Sequence, residues 1–219
     1  HPWSIDPDQG FLASANADPG GQSLDNDLTN DAYYIGGPWL EGFRQGEIND
    51  ELADLVAAGG IDVEDMRVLQ SNHDSVLGKW LGPVLVDAID AARAARDAGE
   101  TADAAGRIAA IYDADSARFD DVQGRMLDWE SRGFKAESGV KTFYDGTPTA
   151  EQKADAVATT IFNAWMGPFV NNAVNDEGMP KGDHGTYGMI RMMLESRGPG
   201  NPGGFASYNP ATEESVYWD

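Results

Sequence analysis

The sequence predicts a mainly α-helical protein with one short strand near its N-terminal end. In several long segments between positions 38 and 175, apolar residues recur at the spacing of one helix face, and helix-boundary residues flank these segments. A short apolar run at 11–15 follows the turn signal Pro-Asp-Gln-Gly at 7–10, which is typical of the end of a strand. The fold class follows from these observations together.

The first two predicted helices lie between positions 38 and 70. Pro38 occupies a position typical of a first helical residue, and Gly59 with Gly60 ends the segment. Asp62 and Asp65 have the spacing of an N-cap and its first-turn partner, so a second helix is expected from there to Gln70. The face of the first helix that should be buried carries Trp39, Phe43, Ile48, Leu52 and Leu55.

Four further helices and one additional helical candidate are predicted after position 75. The first runs from Ser75 to near Gly99 with a kink at Pro83, and two more cover about 102–113 and 116–131. A long helix should follow at 149–175 after Thr147 and Pro148, kinked or broken at Gly167 and Pro168. A last candidate covers 188–196. The tryptophans and Met166 on these helices are predicted to fill core positions.

Composition changes divide the chain into three regions. Residues 1–37 hold the strand end and an acidic loop, residues 38–197 form the helical region, and residues 198–219 form an irregular arm. The arm is predicted because the Gly- and Pro-rich stretch at 198–204 is incompatible with regular structure.

The charge of the chain excludes some classes of partner. Fifteen Lys and Arg against 37 Asp and Glu give a formal net charge of -22, which repels nucleic acid and anionic membrane surfaces. The chain has no cysteine, so it can form neither a disulfide nor a thiolate metal site. The sequence contains no run of about 18 apolar residues, which a membrane-spanning helix would require. We therefore expect no nucleic-acid partner and no membrane partner.

Asn16 has the surroundings of a reactive polar site. Hydrolysis of an amide passes through a negatively charged oxygen that needs fixed hydrogen-bond donors, and a side-chain amide can supply one. Ala15 and Ala17 are small neighbours that would let a substrate approach closely. The alternative is that Asn16 only turns the chain after a strand, which is a common use of Asn.

The stretch from Gly10 to Ile48 resembles the penicillin acylase family of N-terminal nucleophile hydrolases. The resemblance rests on Gly-Phe-Leu-Ala-Ser-Ala-Asn at 10–16 and on Gly-Gly-Pro-Trp-Leu-Glu-Gly-Phe-Arg at 36–44. It implies that the chain is the helical portion of an αββα fold, that Asn16 is the oxyanion-stabilising Asn, and that Arg44 supports the active site. The alternative for Arg44 is a solvated helix residue paired with Glu41 or Glu47.

The same resemblance implies the activity. Family enzymes use an amino-terminal Ser, Thr or Cys as nucleophile, whereas this chain begins with His1. We therefore predict an internal segment of the β subunit that is inactive alone and whose partner is the remaining subunit or upstream portion of the same precursor. The expected substrate is an acyl amide such as a β-lactam side chain or an acyl-homoserine lactone. Family relatives are exported, which implies a periplasmic or extracellular location, and no organic cofactor is expected.

A metal site is predicted in the acidic loop. Residues 25–31 gather three carboxylates and two amides, which are the hard oxygen ligands that calcium prefers. The loop lacks the Gly and Glu positions of an EF-hand. The resemblance implies one structural calcium ion bound by Asp31, with Asp27 as the next candidate. An ordinary polar loop is the alternative.

Two other functions stay open at this point. One is a non-enzymatic helical module that binds a protein partner through its acidic surface, and the other is a calcium-stabilised structural domain. The histidines do not have the spacing of a zinc site. His73, Asp74 and Ser75 are adjacent in sequence, and adjacent residues rarely converge as a catalytic triad.

Overall fold

The computed structural model describes residues 4–16, 42–141 and 146–172, together with the backbone of 208–209 and 214–215. The chain forms two compact units, which are His1–Asn72 with Pro168–Asp219, and His73–Gly167. Six helices lie in the described residues, so the mainly α-helical prediction is confirmed. Within the same residues no helix is both long and apolar enough to cross a bilayer.

Helix α1, Phe43–Ala58, starts later than the sequence predicts. Gly42 precedes it with φ +81°, a left-handed backbone that cannot belong to a right-handed helix, so a helix that starts at Pro38 and continues into α1 is excluded. Pro38 itself lies outside the described residues. At the other end, Gly59 has φ +74° and donates its N–H to the Leu55 carbonyl, which confirms the predicted end. Leu52 is the buried residue of this helix.

Helix α2, Val63–Gln70, starts with the predicted cap. The Asp62 carboxylate accepts hydrogen bonds from the backbone N–H groups of Glu64 and Asp65, and the Asp65 carboxylate accepts one from the Asp62 N–H. This is a complete capping box. No residue of α2 is buried.

The predicted strand at 11–15 is wrong: these residues are described and do not form one. A strand requires a neighbouring strand to bond its backbone, and none pairs with this segment in the described part of the chain. Its residues nevertheless alternate in exposure. Leu12, Ser14 and Asn16 are exposed, whereas Ala15 is buried, so the strand-like pattern is present without the ladder.

The second unit contains α3 Val76–Asp97, α4 Asp103–Ala114, α5 Ser116–Ser131 and most of α6 Ala150–Val170. The Ser75 side chain caps α3 by accepting from the Gly78 N–H. Thr149 and Gln152 form a reciprocal cap at the start of α6. The sequence predicts a kink or a break at Gly167 and Pro168; the break does not occur, because α6 continues through both residues. The predicted helix at 188–196 lies outside the described residues.

The core of the second unit is built around Trp129. Its side chain is fully buried, and its ring lies 5.0 Å from that of Phe134 and 5.6 Å from that of Phe162. The indole N–H donates to the Lys135 carbonyl, so its one polar atom is satisfied. Trp129 and Met166 therefore confirm their predicted core roles. The other largest fully buried side chains are Tyr112, Phe162, Leu81 and Met126.

Near the C-terminus, β1 Tyr208–Asn209 pairs antiparallel with β2 Glu214–Ser215. The ladder lies within the predicted irregular arm, 198–219, whose other residues lie outside the described part of the chain. The predicted region boundaries at 37 and 197 lie outside the described residues and stay predictions.

Candidate active site

Asn16 lies in a bend of the chain, directly after Ala15. Its backbone has φ +61°, a left-handed conformation that Asn tolerates better than most side chains. Its side chain is exposed, while the preceding Ala15 is buried and anchors the segment. The chain therefore turns at Asn16 and presents a side-chain amide at the surface.

Arg44 reaches this amide from helix α1. Its Nη2 atom donates a hydrogen bond of 2.5 Å to Oδ1 of Asn16, across 28 residues of sequence. The structure thus brings together the two site residues that the sequence predicts. No ion pair joins Arg44 to Glu47 in the described residues, and Glu41 lies outside them.

The position of Arg44 in α1 is unfavourable for the helix itself. It is the second residue of the helix, where the macrodipole disfavours a cation by about 0.3–1 kcal/mol. No acidic residue in the first turn offsets this charge. The hydrogen bond to Asn16 is the stabilising contact of the Arg44 guanidinium in the described part of the chain.

The contact fixes how the Asn16 amide is oriented. A guanidinium group has donors only, so the amide atom that faces it must be the acceptor Oδ1. Because the amide is planar, Nδ2 and its two N–H donors then point away from Arg44, and Asn16 is an exposed residue. The pair can offer fixed donors to a negatively charged oxygen but contains no nucleophile.

The calcium ligands predicted in the acidic loop are Asp31 and Asp27. Asp27 and Asp31 lie outside the described residues, and the described residues contain no group of three His, Asp or Glu side chains that could hold a metal ion. The calcium site stays a prediction.

His73, Asp74 and Ser75 have structural contacts. His73 Nε2 lies 3.3 Å from Glu137 Oε1, Asp74 pairs with Lys135 at 2.6 Å, and Ser75 caps α3. The three side chains therefore bind three different partners, as the sequence analysis expects of adjacent residues.

The sequence analysis missed a polar cluster between α3, α4 and α5. Arg93 donates to Asp90, to Asp120, to the Tyr112 hydroxyl and to Gln123, and Tyr112 donates to Asp120 at 2.6 Å. The hydrogen bonds from Tyr112 and then Arg93 hold the pKa of Asp120 below its usual value. Only the spacing of Asp90 and Arg93 is visible in sequence, because the other partners are 19 to 30 residues from Arg93.

A second such contact joins Arg132 to Asp155. The Asp155 carboxylate is buried, and Arg132 Nε donates to it at 2.7 Å. Both the cluster and this pair link helices of one unit, so they stabilise the helical core.

An exposed side-chain amide, held by a guanidinium so that its donors point away from that guanidinium, is the kind of group that amide-hydrolysing enzymes use to stabilise an oxyanion. The chain belongs to the penicillin amidase family, whose model matches residues 1–218. This confirms the resemblance, and the family is one of hydrolytic amidases. No curated protein and no solved structure matches the chain.

Proposed function

We propose that this chain is part of an amidohydrolase that cleaves acyl-amide bonds, in which Asn16 stabilises the oxyanion and Arg44 fixes the Asn16 amide. The observation that carries the proposal is the hydrogen bond from Arg44 to Asn16 Oδ1, in a chain of the penicillin amidase family.

The proposed chemistry uses the two donors of Asn16 Nδ2. When a nucleophile attacks the carbonyl of the substrate amide, the carbonyl oxygen becomes negative, and an N–H donor already aimed at it lowers the barrier. One such donor contributes about 2.7–4 kcal/mol. The hydrogen bond that Oδ1 accepts from Arg44 polarises the amide, which strengthens Nδ2–H as a donor.

The nucleophile is proposed to come from the remaining subunit or upstream portion of the same precursor. In this family an amino-terminal nucleophile uses its own freed amino group as the base. Since Asn16 and Arg44 supply donors and no nucleophile, the chain alone should be inactive. The two side chains are exposed, which leaves room for the partner portion and the substrate.

The remaining parts of the proposal concern substrate, metal and location. The substrate class is an acyl amide, such as a β-lactam side chain or an acyl-homoserine lactone. One structural calcium ion is proposed at Asp31 with Asp27, and carboxylate oxygens suit that ion. The family membership supports a periplasmic or extracellular location.

The test is the hydrolysis of a phenylacetyl amide and a long-chain acyl amide by the chain assembled with the remaining portion of its precursor. Asn16→Ala should lower kcat about 100- to 1000-fold, because one oxyanion donor is lost. Asn16→Asp should have a similar effect, since a carboxylate keeps the contact with Arg44 but has no donor. The chain without its partner portion should show no turnover.

The matched control is Asn49→Asp. Asn49 also presents a side-chain amide oxygen to a neighbour, Gln45 on α1, but lies outside the proposed site. Its substitution should leave kcat within about twofold of the parent, as for an ordinary surface change. Equal rates for the parent and both Asn16 variants would refute the proposed role, and turnover by the chain alone would refute the proposed origin of the nucleophile.

A further inference from the structure

A groove lies along helix α6 in the second unit, beside the loop that precedes it. Its volume is about 380 Å³, at the small end of the range of ligand sites, about 300–1,000 Å³. Ser138 and Gly139 form one wall, and the remaining lining comes from α6: Lys153, Ala156, Val157, Thr160 and Ile161.

The groove lies on one face of α6, where three of its five α6 residues, Ala156, Val157 and Ile161, are apolar. The residues that α6 buries in the core are Asp155, Ala158, Phe162 and Met166. At about 100° per residue, the groove residues recur at helical spacing on the side facing away from that core. The groove is open to solvent, since Val157 is 42% exposed, so its apolar residues are accessible to a ligand.

The loop wall is held close to the helix by a glycine. Gly139 has φ +67°, and a Cβ atom added there would lie 2.6 Å from Cβ of Ala156. Any other residue would therefore force the loop away from α6 and open the groove. The hydroxyl of Thr160 donates to the Ala156 carbonyl, so it is satisfied within the helix and does not make the floor more polar.

One charge borders this apolar surface. Lys153 has no carboxylate partner in the described part of the chain, although carboxylates far outnumber cations in the sequence. By contrast, Lys79 and Lys135 in the same unit both pair with Asp74. An apolar floor with an unpaired ammonium group is complementary to a molecule with an apolar body and one negative head.

We propose that this groove binds a small carboxylic acid with an apolar chain. Its chain would lie against Ala156, Val157 and Ile161, and its carboxylate would contact Nζ of Lys153. The amide hydrolysis proposed above would release acids of this class, but the groove is argued from its own lining and is tested separately from hydrolysis.

The test is a titration of the 219-residue chain with octanoate, in which binding is measured by calorimetry and by the chemical shifts of the backbone amides in NMR. Octanoate should bind saturably and shift the amides of 138–139 and 153–161. Octanol should bind more weakly because it lacks the charge, and octylammonium should bind weakest because Lys153 repels it. Equal binding of octanoate and octylammonium, no saturable binding, or shifts confined to other residues would overturn the proposal.

Two variants separate the contributions of charge and apolar contact. Lys153→Gln should weaken octanoate binding about two- to fivefold, the effect of an exposed ion pair, and leave octanol binding unchanged. Val157→Asp should abolish binding of both, because it places a carboxylate on the apolar floor. The control Arg107→Gln removes an exposed cation from α4 that does not line the groove, and should change neither. Unchanged octanoate affinity in Lys153→Gln would refute the role of the ammonium group.

Discussion

Gly106 and Gly124 should respond in opposite directions to the same substitution. Both lie inside helices of the second unit, α4 and α5. A Cβ atom at Gly106 would lie 2.3 Å from the carbonyl carbon and 2.7 Å from the carbonyl oxygen of Thr101, whereas one at Gly124 would meet nothing within 4 Å. The pair therefore tests whether the chain at Thr101 folds closely over the start of α4.

The magnitudes follow from two effects. Replacing Gly by Ala inside a helix stabilises it by about 0.5–1 kcal/mol, and this applies to both sites. At Gly106 the added methyl group also meets backbone atoms, which cannot rotate away, and overpacking of this kind costs about 1–3 kcal/mol. Gly124→Ala should therefore raise the free energy of unfolding by up to about 1 kcal/mol. The free energy of unfolding of Gly106→Ala should be about 1–3 kcal/mol lower than that of Gly124→Ala.

The assay is urea unfolding of the parent and both variants, followed by tryptophan fluorescence. The difference between the two variants isolates the steric cost, since the helix-propensity gain is common to both. If Gly106→Ala and Gly124→Ala shift the unfolding midpoint equally, the close approach of Thr101 to α4 is wrong.

Two other predictions concern the same unit. Hydrogen bonds from Tyr112 and Arg93 lower the pKa of Asp120 in the folded state. The ionised carboxylate therefore contributes to stability above the pKa of about 3.9 that Asp has in the unfolded chain, and this contribution is lost as the pH falls through the lower folded pKa. Unfolding curves at several pH values measure the stability difference between the parent and Asp120→Asn. This difference should be largest above about pH 4 and shrink in stronger acid. A difference that does not change with pH down to the folded pKa would contradict this. Phe162 is 1% exposed and packs on Trp129, so Phe162→Ala should lower the unfolding free energy by about 3–5 kcal/mol. Ile111→Ala, at a 60% exposed position, should change it by less than about 0.5 kcal/mol, and equal losses in urea unfolding would show that the core is not centred on Trp129.

Local signals in the sequence predict much of the helical structure. The Asp62 cap, the end of α1 at Gly59 and the bounds of α5 agree with the structure because each depends on residues within one turn. The predicted start of α1 at Pro38 is wrong. A proline shows where a helix can begin, but the left-handed backbone of Gly42 places the start of α1 at Phe43. The strand at 11–15 was wrong for a different reason: alternation is local, but a strand also needs a partner.

The sequence predicts which residues form the candidate site, but not that their side chains contact each other. The resemblance assigns Asn16 and Arg44 to one site, yet their contact depends on how the chain returns over 28 residues, which no local pattern gives. The contacts of Arg93 with Tyr112, Asp120 and Gln123 were missed for the same reason, as they join three helices. The groove on α6 was missed because, in sequence, its apolar residues cannot be distinguished from those of a core-facing helix side.

The central claim is that Asn16 and Arg44 act as one unit in an amide-hydrolysing site. The most direct measurement is a double-mutant cycle of Asn16→Ala, Arg44→Ala and the double variant, in kcat/KM for an acyl amide with the assembled enzyme. If Arg44 acts by fixing the Asn16 amide, its loss should slow the parent strongly but should slow the Asn16→Ala enzyme little further. Fully additive effects of the two substitutions, or no effect of either, would contradict the account.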